Sequence, residues 1–333
     1  MTNEQVINYE SGRIVFGENE VFYRENSAIS NSDLSLVSKD PALVEWNRRI
    51  GNSEDLISPA IKEGRLFHKL LLETDFWQKA KLEPTSYHKG CRLIERIAEV
   101  KGDCVETYTD RVFTTITGLR NQLKKDGFNV KTTSDIDECL KVISENNLDY
   151  RFIDTELENA DALGYDFLTA EQMTKFFCMI ESLMENGDFK KLYDSAWYGE
   201  VSLYLNALEF TYNIPLKGRV DMMTTHNGRH YLVDIKTISS LDNVQRNVYE
   251  YHYFRQAAFY KYLYCQLLKV ESEQVDFIFA FVETSPKLGK YRSLLAKVSD
   301  EHLQQGLEQM NSLLTVYSEY LNRDKNELNF AVL

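Results

Sequence analysis

The 333 residues are 43% hydrophobic and 12% aromatic, enough for a sizeable core in one large domain or in a core with an insertion. A formal net charge of −13 excludes a protein that coats polyanions by bulk charge. It does not exclude a nucleic-acid partner, which needs only a local basic groove.

No run of 18 apolar residues is present, so neither a spanning helix nor a membrane partner is expected. The opening MTNEQVINYESGRIVFGENE has no basic region followed by an apolar one, so no secretory leader is expected. Cys91, Cys104, Cys139, Cys178 and Cys265 are odd in number and never spaced C-x2-C. That pattern points to reduced thiols in a cytoplasmic setting and away from a zinc site or an iron–sulfur cluster.

Residues 1–27 read as an extended lead-in. Ser30 or Ser32 then offers an N-cap to a helix carrying Leu34, Leu36 and Val37 on one face. Pro41 opens a second short helix, and SPAIKEGRLFHKLLLET places Ile61, Leu66, Leu70 and Leu71 at helical spacing. From about 83 to 166 the chain reads as separate charged amphipathic helices broken at Gly102, Gly127 and Asn146-Asn147. TAEQMTKFFCMIESLMENG predicts a firmer helix, with a threonine at its start and Gly187 at its end.

After Trp197 the composition turns to strand chemistry, rich in Val, Ile, Tyr, Phe and Thr. EVSLYLNAL, EFTYNIPLKGRVDMMTT and RHYLVDIKTI predict three strands, the last two joined by an Asn227-Gly228 hairpin turn. NVYEYHYFRQAAFYKYLYCQLL predicts one long helix without internal Gly or Pro. VDFIFAFVET and YRSLLAKVS predict two more strands, and a helix closes the chain. This order predicts an α/β fold, a mixed central sheet flanked by helices.

In RHYLVDIKTI, alternation puts Asp234 and Lys236 on one face, roughly 7 Å apart along the strand. A two-residue turn sets His226 opposite Arg229 and, counting back along both strands, Asp221 opposite Asp234. Facing carboxylates repel and weaken a purely structural hairpin. A divalent cation removes that repulsion, and the oxygen ligands suit Mg²⁺ or Mn²⁺. Lys236 beside such an ion could orient or deprotonate water and offset charge on a phosphate. The same spacing also fits a lysine that merely pairs with Asp234 or Asp221.

GRVD followed by VDIKT resembles the PD-(D/E)xK nuclease core as found in RecB-type and phage exonuclease VIII (RecE-type) proteins. EGRLFHKLLLE resembles the upstream helix of that family, with a metal-binding histidine at His68. GEVSLYLNALEFTYNIPLKGRVD resembles its first core strand, with an acidic residue at Glu200. FRQAAFYKYL resembles its Q-x3-Y helix, at Gln256 and Tyr260, and ISNSDLSLVSKDPALVEW resembles the family's opening.

The resemblance implies a single restriction-endonuclease-like domain over 1–333. Its N-terminal helices would occupy 27–82 and the catalytic sheet and closing helices 167–333; residues 83–166, which the resemblance does not cover, read as a helical insertion. It implies a Mg²⁺-dependent exonuclease, with Mn²⁺ able to substitute, held by Asp221, Asp234, the Ile235 carbonyl, His68 and Glu200. Catalysis would rest on Lys236, Asp234, Asp221, Glu200, Gln256 and Tyr260.

The implied substrate is duplex DNA, digested from its ends 5′ to 3′. Its single-stranded product would pass to an annealing recombinase, in a bacterial cell of phage or prophage context, and a homo-oligomer is compatible with this class. An endonuclease on the same core, or a catalytically silent nucleic-acid binder, are the alternatives. The four-cysteine cluster of some RecB-type relatives is missing, and Val220 stands before Asp221 where the motif's name has proline. Candidate phosphate contacts are Arg65, Lys69, Lys217, Arg219, Arg255 and, in the SPKLGKYR loop, Lys287, Lys290 and Arg292.

Overall fold

The computed structural model describes residues 5–50, 58–72, 80–82, 112–113, 115–152, 166–196, 198–207 and 212–323. The chain divides into two compact units, residues 1–73 with 179–333 and residues 74–178.

The first unit begins with a hairpin, β1 (Gln5–Tyr9) and β2 (Gly12–Phe16), where the sequence reads as an unpaired lead-in. β2 buries Ile14, Val15 and Phe16, whereas β1 is largely exposed and forms the sheet edge. The short helix α1 (Glu20–Glu25) follows. Ser30 caps α2 (Asn31–Val37), and Asp33 returns the bond to the Ser30 N–H, completing a capping box. α3 (Ala42–Ile50) follows Pro41, and α4 (Pro59–Leu72) begins on a proline, whose missing N–H costs no helical bond there.

The second unit contains β3 (Ala80–Leu82), β4 (Val112–Phe113), α5 (Ile116–Lys125), α6 (Ile136–Glu145), β5 (Arg151–Phe152) and β6 (Asp166–Leu168). Leu119, Leu123, Cys139 and Phe152 form a small core of its own. The parallel pairs β3–β6 and β4–β5 add strands to a segment whose sequence reads as helical. The predicted helix in SYHKGCRLIERIAEV lies outside the described residues. The boundary between units falls within α7 (Ala170–Glu185), whose start is fixed by reciprocal bonds between Thr169 and Gln172. Gly187 does not end that helix. Asn186 accepts from the Asp188 and Phe189 N–H groups and opens α8 (Gly187–Asp194) instead.

β7 (Tyr198–Leu205), β8 (Leu216–His226) and β9 (Arg229–Ile238) follow. Asn227 and Gly228 take φ of 51° and 74°, the left-handed pair that a two-residue hairpin turn needs. The long predicted helix is two helices, α9 (Val244–Glu250) and α10 (Tyr253–Leu268), broken where His252 adopts φ 54°. β10 (Val275–Glu283), β11 (Ser293–Lys297) and α11 (Asp300–Asn322) complete the unit.

The seven strands lie in the order β1-β2-β7-β8-β9-β10-β11, with β9 and β10 parallel and the other neighbours antiparallel. β10 is buried along its whole length, the pattern of a strand covered on both faces. Ala257, Phe259, Leu263 and Leu267 of α10 pack with Leu203, Leu216, Val220, Phe277 and Phe279 of the sheet. Each fully buried Leu or Phe contributes about 1.5–3 kcal/mol.

Two glycines set how closely helices approach. A Cβ on Gly218 would lie 2.9 Å from side-chain atoms of Leu263 and Tyr260 in α10. One on Gly199 would lie 2.6 Å from the Leu72 carbonyl oxygen at the end of α4. Among the described residues no helix is long and apolar enough to cross a membrane.

Candidate active site

The hairpin register expected from the turn is observed from His226↔Arg229 to Met222↔Val233, and there the regular ladder stops. Asp221 and Asp234 would be its next pair. On the other side of β8, pairing with β7 skips one position, between Gly199↔Met222 and Val201↔Val220. The skipped pair is Glu200 and Asp221, and Glu200 adopts φ 52°, left-handed backbone that a side chain other than Gly, Asn or Asp rarely takes.

The side-chain alternation slips at the same place. Leu216, Val220 and Met223 all join the core beneath α10, a spacing that strict alternation cannot give. Val201, Leu203 and Leu205 of β7 join that core too, while Gly199 faces α4. Asp221 therefore sits in a break in the sheet, with α4 contributing from one direction and α10 from the other.

Asp221 uses this break. Its Oδ2 accepts a 2.6 Å hydrogen bond from the Ile235 N–H, replacing the missing ladder bond. His68 Nδ1 lies 3.6 Å from the same oxygen. Asp234 extends toward α10, where Gln256 Nε2 donates to Oδ1 at 2.7 Å. Lys236 Nζ lies 2.6 Å from Asp234 Oδ2, yet that buried oxygen accepts no hydrogen bond of good geometry.

The two carboxyls respond differently to the same burial. Desolvation raises Asp234, with Asp221 adding to the rise, and Lys236 only partly offsets it. Asp221 is desolvated as well, but His68, Lys236 and the Ile235 N–H together hold it below the usual range. Lys236 and His68 are both raised, because the carboxylates outweigh the burial that would lower them.

The structure thus brings Asp221, Asp234, Lys236, Gln256 and His68 together. Glu200 stands at the same break, with its Oε2 3.2 Å from Arg219 Nη1. Tyr260 is partly buried against the core, and its surroundings raise its hydroxyl far above the usual range, Gln256 offsetting part of the rise. Tyr253, which the motifs do not single out, joins them. Its ring lies 5.0 Å from Lys236 Nζ, a cation–π contact. Its spacing to Gln256 and Tyr260, three and seven residues, is one helix face and was readable.

The basic residues divide. Lys217 is buried and donates to the carbonyls of Tyr23 and Asn26 at 2.7 Å each, so it closes the end of α1 and is out of reach of a phosphate. Burial lowers its pKa to about 8. Arg255 is 1% exposed and bonds Asn31 and Ser35, which removes it as well. Arg219 is directed inward to Glu200, Ser202 and the Glu18 carbonyl. Lys287 pairs with Asp242, and Arg292 with Glu283 and Asp242. Arg65 and Lys69 flank His68 on α4, and Lys290 is exposed at the hairpin tip.

Among the described residues no three His, Cys, Asp or Glu side chains converge as a ready-made metal cage. Mg²⁺ seldom uses such a cage. It binds through one or two carboxylates and keeps water and substrate oxygens as its other ligands. Asp221 and Asp234, the latter with its second oxygen met by Lys236 alone, fit that requirement. His68 is engaged with Asp221.

No curated protein matches the chain significantly. Among solved structures, one similar chain is a candidate exonuclease from Eubacterium rectale, 14% identical, with a TM-score of 0.36 over 63% of this chain and 82% of that one. Another is SSO0001, 14% identical, with a TM-score of 0.24 over 67% of this chain and 84% of that one. Superposition scores this low leave family membership to the family model. That model, described as a PDDEXK-like domain of unknown function, matches residues 142–327, a span that holds Glu200, Asp221, Asp234, Lys236 and Gln256. The chain belongs to this PDDEXK-like family (DUF3799).

Proposed function

We propose that the chain is a Mg²⁺-dependent DNA exonuclease that hydrolyses phosphodiester bonds from duplex ends. The observation that supports this reading is the meeting of Asp221, Asp234 and Lys236 at one break in the sheet, with Gln256 fixing Asp234. When bound, the metal supplies Lewis-acid polarisation of the phosphate and a more acidic water. Asp221 and Asp234 would hold it, joined by the Ile235 carbonyl.

Lys236 stands next to both carboxylates and donates hydrogen bonds to the water and to a non-bridging phosphate oxygen. That offsets the charge that builds as the new O–P bond forms and the old P–O bond breaks. Gln256 orients Asp234, His68 orients Asp221, and Tyr260 supports Gln256. Glu200 adds a carboxylate for a second ion or for the water. Arg65, Lys69, Lys287, Lys290 and Arg292 are the phosphate contacts that remain after burial is taken into account.

Digestion 5′ to 3′, delivery of single strand to an annealing recombinase, a bacterial cytoplasm with phage or prophage origin and a homo-oligomeric state extend the same proposal. They rest on the exonuclease VIII-type resemblance. Digestion of duplex DNA labelled at either end, with and without Mg²⁺, tests it. Release of mononucleotides or short products only with metal, and only from linear DNA, is expected. Metal-independent or absent hydrolysis overturns the proposal, and cutting of closed circles replaces it with an endonuclease.

A further inference from the structure

We infer that Tyr251 and Tyr253 form a stacking subsite for the nucleobase adjoining the phosphate under attack. This rests on the nuclease reading above and adds to it where the base goes.

The inner ring is fixed. Tyr253 packs 5.3 Å from the Phe279 ring and 6.3 Å from the Phe281 ring, and lies 5.0 Å from Lys236 Nζ. The outer ring, Tyr251, is 5.8 Å from Tyr253 with a tilt of 33°, and it is 55% exposed. Tyr251 takes no part in the hydrophobic core that includes Tyr253. Two aromatic rings therefore lead from the lysine of the site out to solvent.

The backbone is bent to make this pair. In a continuous α-helix, residues two apart point roughly 200° away from each other, so the rings could not meet. His252 breaks the helix with φ 54°, and its side chain caps nothing in return. Neither Gly nor Pro is there to make the break easy. A left-handed non-glycine residue costs free energy and persists where the surroundings over-determine it. What this one achieves is to fold Tyr251 back onto Tyr253.

The ligand that fits is a base rather than an amino-acid side chain. Every base offers a π-face, so such a platform suits an enzyme that must accept successive nucleotides of any sequence. The adjacent carboxylate of Glu250 is paired with Arg246 Nε at 3.1 Å, which reduces its repulsion of a phosphodiester backbone.

The test uses the full chain, Mg²⁺ and duplex substrates carrying a single abasic position stepped inward from the cleaved end. Tyr251→Ala is expected to raise KM for intact DNA by about 10-fold, and Tyr251→Phe to restore it. At one position, an abasic nucleotide should reproduce that rise in the wild type and add nothing in Tyr251→Ala. Additive effects at every position, or an unchanged KM in Tyr251→Ala, overturn the subsite while leaving the nuclease reading intact. If the wild type hydrolyses no DNA, that reading fails. Metal-free binding of the same strands, by fluorescence anisotropy, then decides the subsite. Equal affinity of wild type and Tyr251→Ala overturns it, and loss of affinity restricted to the intact base supports it.

Discussion

Asp234 and Asp276 are buried carboxylates on adjacent parallel strands, and the fold treats them in opposite ways. Asp276 is gripped by Arg229 through Nε and Nη2 at 2.8 Å each, and by Lys297 at 2.9 Å. Those bonds, Arg229's above all, pull its pKa down to about 2. Asp234 has one oxygen held by Gln256 and the other beside Lys236, without a hydrogen bond of good geometry, and its pKa is raised. A carboxylate whose oxygens are all engaged has no capacity left for a ligand. One kept buried with a single lysine against its second oxygen holds a raised pKa at a cost in stability, and that cost is explicable if a cation or substrate completes it.

Substitutions should separate the two clusters. Lys236→Ala is expected to lower kcat by about 10³-fold, the scale of losing a preorganised charge at the reacting group. It should also lower thermal stability, because breaking a buried pair strands the remaining charge. Retention of more than a tenth of wild-type activity in the digestion assay would assign Lys236 to the structural side of the comparison. Gln256→Ala comes next. A buried hydrogen bond to a charged acceptor contributes about 1.5–3 kcal/mol, so the loss should be roughly 10- to 100-fold in kcat, read from single-turnover digestion.

Arg219 sharpens the comparison, since its sequence position suggests a phosphate contact and its geometry a support for Glu200. If it supports Glu200, Arg219→Ala should lower kcat by about 10-fold while the salt dependence of DNA binding stays unchanged. Arg219→Lys should recover part of the loss. A phosphate contact would instead weaken binding and reduce the slope of log K against log[salt] by about one. The two outcomes cannot be confused.

Much of this hairpin was legible because short-range rules governed it. Asn-Gly supplied the turn, alternation supplied the faces, and β9 runs from Arg229 to Ile238 as its residues suggest. The register then followed from counting. What defeated the rules was tertiary. Nothing local requires Glu200 to take a left-handed conformation, yet that residue and Asp221 interrupt both ladders. His252 breaks a helix whose residues all favour or tolerate continuation. The β1–β2 hairpin carries little sequence signal because β1 is exposed and has no apolar face. Counting basic residues could not reveal that Lys217 and Arg255 point inward.

The smallest expected effect concerns Asp276, the satisfied member of the comparison. Its folded pKa of about 2 lies below the value near 3.9 of an unfolded chain, so the ionised form is favoured by folding. The stability it contributes is therefore fully present above about pH 4 and is lost as pH falls toward 2. Arg229 and Lys297 are 43% and 55% exposed, which screens the pair and limits the contribution to about 1 kcal/mol. Asp276→Asn should accordingly lower the melting temperature by a few degrees at pH 7, with DNA hydrolysis at the wild-type rate. The gap between the two melting curves should narrow below pH 4 and close only below pH 2, once the folded carboxyl is protonated. A gap that does not narrow between pH 4 and pH 2 would mean the residue acts through packing. The contrast with Asp234 would then rest on shape rather than on which carboxylate has its charge satisfied.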